Sequence, residues 1–124
     1  MYKGSCLCGR VRYEINGEPK KASNCHCTMC QKQHGAAFAT YVSVPRNTLH
    51  YLNETDELSS YRSSGEITRR FCKTCGSNIE WSGSKKHPDW TSIALATFDT
   101  EFVPDKLSEI YIESKVSWYG KELE

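Results

Sequence analysis

Seven cysteines fall into three clusters along this 124-residue chain. The first is Cys6-Leu7-Cys8-Gly9, the second Cys25-His26-Cys27-Thr28-Met29-Cys30, and the third Phe71-Cys72-Lys73-Thr74-Cys75-Gly76. An odd number of thiols cannot all pair within one chain, and clustered cysteines more often bind metal. The first and third clusters are cysteine pairs followed at once by glycine. A metal knuckle turns the backbone tightly enough for its N–H groups to approach thiolates, and glycine permits those dihedrals. Zinc prefers four ligands in a tetrahedron, and four thiolates form a closed, structural site. Cys6, Cys8, Cys72 and Cys75 make such a set. It would close a loop of roughly sixty residues and so restrain the unfolded chain. The alternatives are a four-cysteine site assembled from other members, or an iron–sulfur cluster.

The middle cluster brings three thiols and no trailing glycine. On an extended segment Cys25 and Cys27 project to one face and His26 to the other. Cys30, at the start of a short helix, can turn back to the same metal, where the helix N-terminus favours negative charge. Three protein ligands leave one tetrahedral position for water or substrate, which is the arrangement of catalytic zinc. The competing arrangement is a closed site completed by His26 or His34. Two zinc ions per chain follow from the two-site reading.

The elements that hold these clusters read as short strands. Val11-Arg12-Tyr13-Glu14-Ile15 alternates apolar and charged side chains, the period of a strand with one buried face. Asn16-Gly17-Glu18-Pro19 ends it. Further strands are expected at 36–44, 50–52, 58–62, 68–71, 79–81, 90–96 and 110–112. One short helix is expected after Cys27, with Thr28 as its cap and Gln31 reaching back in a T-x-x-Q capping box. The expectation is an all-β protein with at most one helix, forming a single domain over 1–122. Residues 123–124 read as a tail, left by cloning or native.

Lysine and arginine total 16 against 15 aspartate and glutamate, a formal net charge of +1. Bulk electrostatics therefore call for neither nucleic acid nor an anionic membrane. No apolar run approaches a membrane span, and the first residues lack the apolar core of a secretory signal. A reducing cytoplasm is the expected location.

Three motifs in order, G-S-C-L-C-G-x-V-x-Y-E at 4–14, C-H-C-T-M-C-Q-K at 25–32 and F-C-K-T-C-G-S at 71–77, resemble the glutathione-dependent formaldehyde-activating enzyme family, which also includes centromere protein V. The likeness extends to Ile110-Tyr111-Ile112, Ser114-Lys115 and Trp118. It implies a β-tent fold, a structural zinc on Cys6, Cys8, Cys72 and Cys75, and a catalytic zinc on Cys25, Cys27 and Cys30. It also implies a carbon–sulfur lyase whose partner is a small thiol, glutathione or its aldehyde adduct, in the reaction that joins formaldehyde and glutathione to S-hydroxymethylglutathione. A thiol at the open position loses its proton more readily, so thiol binding is favoured over water activation. The family's common C-x-x-C-R-K stretch reads C-T-M-C-Q-K here, so a cation is missing at Gln31.

Other residues carry two readings each. His26 is a group that orients the ligands beside it or a site residue in its own right. His34, one turn beyond Cys30, lines the open site or is a solvated helix-end histidine. Lys32 attracts a carboxylate or is merely exposed. Gly35-Ala36-Ala37 clears space near the metal or permits close packing. Phe38, Tyr41 and Trp81 wall a pocket or fill a core. Arg69-Arg70 reads as a solvated strand face, and His50 and His87 receive no role. Besides an enzyme, the pattern allows a zinc-stabilised binding module without turnover, or a sensor whose middle cysteines lose zinc on oxidation.

Overall fold

A computed structural model describes residues 1–52 and 55–120, without the side chain of Thr55. The expected domain limit at 122 and the tail at 123–124 lie outside the described residues. The described chain is mostly β, with strands β1 (Tyr2–Ser5), β2 (Arg12–Ile15) and β3 (Ala22–Cys25), helix α1 (Thr28–His34), then β4 (Ala39–Pro45) and β5 (Leu49–Tyr51). Strands β6 (Leu58–Ser64), β7 (Ile67–Cys72), β8 (Asn78–Ser82), β9 (Trp90–Ala94) and β10 (Leu107–Ile110) complete it. They form a three-stranded sheet, β1-β2-β5, and a seven-stranded sheet, β10-β3-β4-β9-β8-β7-β6. Every pairing is antiparallel except β10 with β3.

Two buried clusters divide the apolar side chains. The larger unites Tyr13 and Ile15 of the small sheet with Ala22, Val42, Val44, Ile79 and Ile93 of the large one, and Cys6 and Cys72 belong to it. The smaller comprises Cys25, Cys30, Ala39, Tyr41 and Ala94, with Cys27 and Trp81 against it. Strand alternation explains the division. In β4, Val42 and Val44 face the small sheet, while Ala39 and Tyr41 point the opposite way. The register carries both faces across the sheet: Ala22 pairs with Val42 and Cys25 with Ala39, and Ile93 pairs with Val42 and Ala94 with Tyr41. The large sheet is therefore buried on its inner face by β1-β2-β5 and on part of its outer face by α1.

Several boundaries differ from the expectations. Cys27, not Thr28, caps the helix: its backbone is extended and its Sγ accepts from Cys30 N–H. A cysteine sulfur serves here as the side-chain acceptor that a threonine hydroxyl would otherwise supply. Gln31 does reach back, but its Nε2 donates to the carbonyls of His26 and Ser114. Strand β4 starts at Ala39 because Gly35, at φ 59°, ends the helix first. The strand expected at 110–112 ends at Ile110, since Tyr111 lies in the left-handed region at φ 57° and cannot continue a ladder. Strand β9 stops at Ala94, where a 3₁₀ turn over Leu95–Thr97 begins. No helix among the described residues is long and apolar enough to cross a membrane.

Candidate metal centres

The structure gathers Cys6, Cys8, Cys72 and Cys75 at one point, with all four Sγ atoms within 4.8 Å of one another. Cys6 Sγ lies 3.6 Å from Cys8 Sγ, and Cys8 Sγ 3.8 Å from Cys72 Sγ. Zinc–sulfur bonds of about 2.3 Å in a tetrahedron require sulfur–sulfur edges of about 3.8 Å. A disulfide would need about 2.05 Å, and all seven cysteines are free. The group thus has the dimensions of a tetrathiolate metal site.

Local backbone geometry produces it. Cys6 follows β1 and Cys72 ends β7, and both are buried, at 5% and 0% exposure. Gly9 and Gly76 adopt φ 82° and 79°, and their N–H groups return to the carbonyls of Cys6 and Cys72. That turn lets other amides reach sulfur: Val11 N–H donates to Cys6 Sγ at 3.2 Å, and Cys75 N–H to Cys72 Sγ at 3.5 Å. The pattern is the expected knuckle, although the glycine amide itself bonds to a carbonyl. Ser77, hydrogen-bonded to Cys75 Sγ at 3.3 Å, holds the Cys75 thiol down to about 5, aided by its own backbone N–H. Burial pushes the Cys72 thiol up to about 11.

The second group is Cys25, Cys27 and Cys30, again with Sγ atoms within 4.8 Å of one another. Cys25 closes β3, Cys27 caps α1 and Cys30 lies in its first turn, so one sheet edge and one helix start converge. Among the described residues no fourth histidine, cysteine or carboxylate joins them. Neither histidine that could have closed the set joins it. His26, 1% exposed, places Nε2 at 2.6 Å from Glu109 Oε1 and its ring 5.0 Å from that of Phe38. His34 Nε2 lies 3.0 Å from Tyr41 Oη. Burial, helped by Arg69, lowers His34 to about 4, so its ring is neutral near pH 7.

Arg69 is the residue that sequence reasoning misread. It is 3% exposed, not solvated. Its Nη1 donates to Cys30 Sγ at 3.5 Å and to Gln33 Oε1 at 2.9 Å, and its Nε to Ser63 Oγ at 2.9 Å. Consecutive residues of a strand face opposite ways, so Arg69 and Arg70 could not share one environment. Arg69 pairs across the ladder with Trp81 on the outer face, whereas Arg70 pairs with Glu80 on the inner one. A hydrogen bond from Cys25, opposed by burial and reinforced by the guanidinium, lowers the Cys30 thiol to about 5, and the Cys25 thiol rises correspondingly. The signal available beforehand was the alternation itself: two adjacent arginines on a buried strand cannot both be solvated.

The aromatic residues separate as well. Tyr41 and Trp81 pack at the three-cysteine group, while Phe38 packs between His26 and Tyr119. Lys32, His50 and His87 are exposed. A surface cleft of about 940 Å³, lined by Tyr2, Glu18, Trp90 and Phe102 among others, touches none of the cysteines. Surface shape and thiol chemistry thus point to different places, and the convergent thiols are the more specific signal.

A protein of Schizosaccharomyces pombe described as an uncharacterized lyase is 26% identical over 117 residues, covering 89% of this chain and 83% of the relative. The crystal structure of a Rhodobacter sphaeroides protein superimposes with a TM-score of 0.67 at 22% identity, covering 86% of this chain and 98% of the other, which establishes a shared fold. The sequence pattern described as glutathione-dependent formaldehyde-activating enzyme matches residues 1–114. The chain therefore belongs to the glutathione-dependent formaldehyde-activating enzyme family.

Proposed function

We propose that this protein is a zinc-dependent carbon–sulfur lyase that makes or breaks a bond between a small thiol and an aldehyde carbon. Cys25, Cys27 and Cys30 hold the zinc at which it acts, and Cys6, Cys8, Cys72 and Cys75 hold a structural one. The observation that carries the reading is the convergence of three thiols with no fourth protein ligand among the described residues. Family membership and the lyase description of the fission-yeast relative support the reaction class. The family's own description suggests glutathione and formaldehyde as the pair. Thiols that are all free suit a reducing cytoplasm.

When bound, the metal would supply acidity to an entering thiol, which becomes a nucleophile at neutral pH. In the forward direction a carbon–sulfur bond forms, the carbonyl π-bond opens and its oxygen takes a proton. The reverse reaction cleaves that carbon–sulfur bond. This chain's residues hold the geometry: Cys27 accepts the Cys30 amide, and Glu109 fixes the ring of His26 between Cys25 and Cys27. Tyr41 and Trp81 provide an apolar wall that limits water.

Elemental analysis of purified protein checks the two-site reading and should return about two zinc per chain. One zinc per chain refutes it. Cys30→Ser should lose one of them, keep its fold and abolish consumption of formaldehyde in the presence of glutathione. A wild-type protein that retains two zinc ions and consumes neither compound, with other thiols and aldehydes equally inert, identifies a binding module instead.

A further inference from the structure

The guanidinium of Arg69 is a permanent charge placed inside the protein beside a thiol. Burying such a group is costly unless it is paired. Its side-chain hydrogen bonds go to two neutral oxygens, Ser63 Oγ and Gln33 Oε1, and to one sulfur, Cys30 Sγ. Nothing among these carries a negative charge except the cysteine when ionised. No acidic residue is paired with Arg69 among the salt bridges of the described residues. Its compensating anion is therefore the three-cysteine group. Ser63 on β6 and Gln33 on α1 both accept from the side chain, tying it to two elements beside the cysteines.

Charge counting shows what such a cation does. Three thiolates exceed a divalent metal by one negative charge. That excess opposes a further anion and favours a neutral fourth ligand. The Arg69 guanidinium cancels it, and arginine remains charged at every working pH. We propose that Arg69 is a specificity-determining positioning residue: it makes the open position of the three-cysteine site accept an anionic ligand, a thiolate, in preference to a neutral one. The proposal rests on the three-cysteine site binding metal, as proposed above. It also accounts for the chain lacking a cation at Gln31: that side chain is occupied with the carbonyls of His26 and Ser114, and positive charge reaches the cysteines from β7.

The test uses the full chain loaded with cobalt, whose visible absorption reports ligand exchange. Two probes are titrated, 2-mercaptoethanol as the thiol, which releases its proton to the buffer on binding, and imidazole as the neutral ligand. In Arg69→Gln, affinity for 2-mercaptoethanol should fall by about ten- to a hundredfold, the range for groups that support a metal ligand. Imidazole affinity should stay within about threefold by the same measure. Arg69→Lys should recover part of the thiol preference. Gln33→Glu, at a half-buried position that already accepts from the guanidinium, offers a second route if Arg69→Gln fails to fold. The new carboxylate would neutralise the guanidinium in place, and the thiol preference should fall there too. Equal losses for both probes, or no loss for either, overturn the proposal. A wild-type protein whose middle cysteines take up no cobalt overturns instead the metal-site reading beneath it.

Discussion

His26 Nε2 lies 2.6 Å from Glu109 Oε1, joining a residue of the central cysteine motif to a strand eighty-three positions further along. Asn24 Nδ2 donates to the other oxygen of the same carboxylate at 2.8 Å. Both partners come from β3 or its immediate continuation, and β10 is the strand parallel to it. One carboxylate thus fixes the segment that carries Cys25 and Cys27. Glu109→Ala should destabilise the protein by about 1–3 kcal/mol, since it leaves the buried His26 Nε2 without its partner. It should also weaken metal retention at the middle site by about tenfold. Denaturant unfolding and chelator competition measure the two effects. Hydrogen bonds from His26 and then Asn24 hold the Glu109 carboxyl below its usual range. That contribution to stability is present above the ordinary carboxylate pKa and is lost as pH falls through the lowered one. Glu109→Gln should flatten that acid limb.

The two cysteine groups should respond differently to substitution. Cys72 is fully buried within the main core and belongs to the group that links the N-terminus to the end of β7. Cys72→Ser should lower the thermal midpoint of the whole protein by more than ten degrees or prevent folding, as loss of a structural metal does. Cys30→Ser, outside that core in the smaller cluster, should cost about 1–3 kcal/mol. Calorimetry of the pair decides. Equal destabilisation would make the middle group structural.

Glu80 is an acid buried between the sheets, 4% exposed. Tyr51 donates to its Oε1 at 2.7 Å and Thr91 to its Oε2 at 2.5 Å, with Arg70 at 3.7 Å. The first of these bonds crosses from the small sheet to the large one. Tyr51→Phe removes it and should cost about 2 kcal/mol in urea unfolding, the range for a hydrogen bond to a charged group. Tyr61→Phe, at an exposed position, should change stability by less than about 0.5 kcal/mol.

His34 sets a pH dependence. Its pKa falls to about 4 in the folded protein, through burial first and the Arg69 charge second, against about 6.5 unfolded. Between those values the unfolded chain binds a proton that the folded chain refuses, so stability declines as pH drops from about 6.5 towards about 4. His34→Gln should flatten the decline across that window. Unfolding midpoints measured at half-unit intervals would show it, and parallel curves for variant and wild type would disprove it.

Much of the site could be read before folding because cysteine spacing is local chemistry. C-x-C and C-x-x-C segments followed by glycine specify knuckles whatever surrounds them, and Gly9 and Gly76 adopt the left-handed dihedrals that reading requires. Strand periodicity placed most of β2, β5, β6, β7 and β8 for the same reason. Strand β1 escaped notice, since Tyr2–Ser5 has no clear alternation, and β10 was placed too far along, since the left-handed backbone of Tyr111 leaves no trace in composition. Thr28 looked like a helix cap because hydroxyls usually are. Cys27 took the position because its sulfur was already turned towards the Cys30 amide.

Residue type and order alone determined the partition of seven cysteines into two groups, the predominance of short strands and the one α-helix of the described residues. These depend on side-chain identity and on distances of a few residues. Only the tertiary structure decided which distant groups stand beside the cysteines. Arg69 reaches Cys30 because β7 lies where its outer face meets α1, and Glu109 reaches His26 because β10 runs parallel to β3. The charge around the three-cysteine group is thus set by sheet register, which joins residues tens of positions apart and which no local pattern encodes.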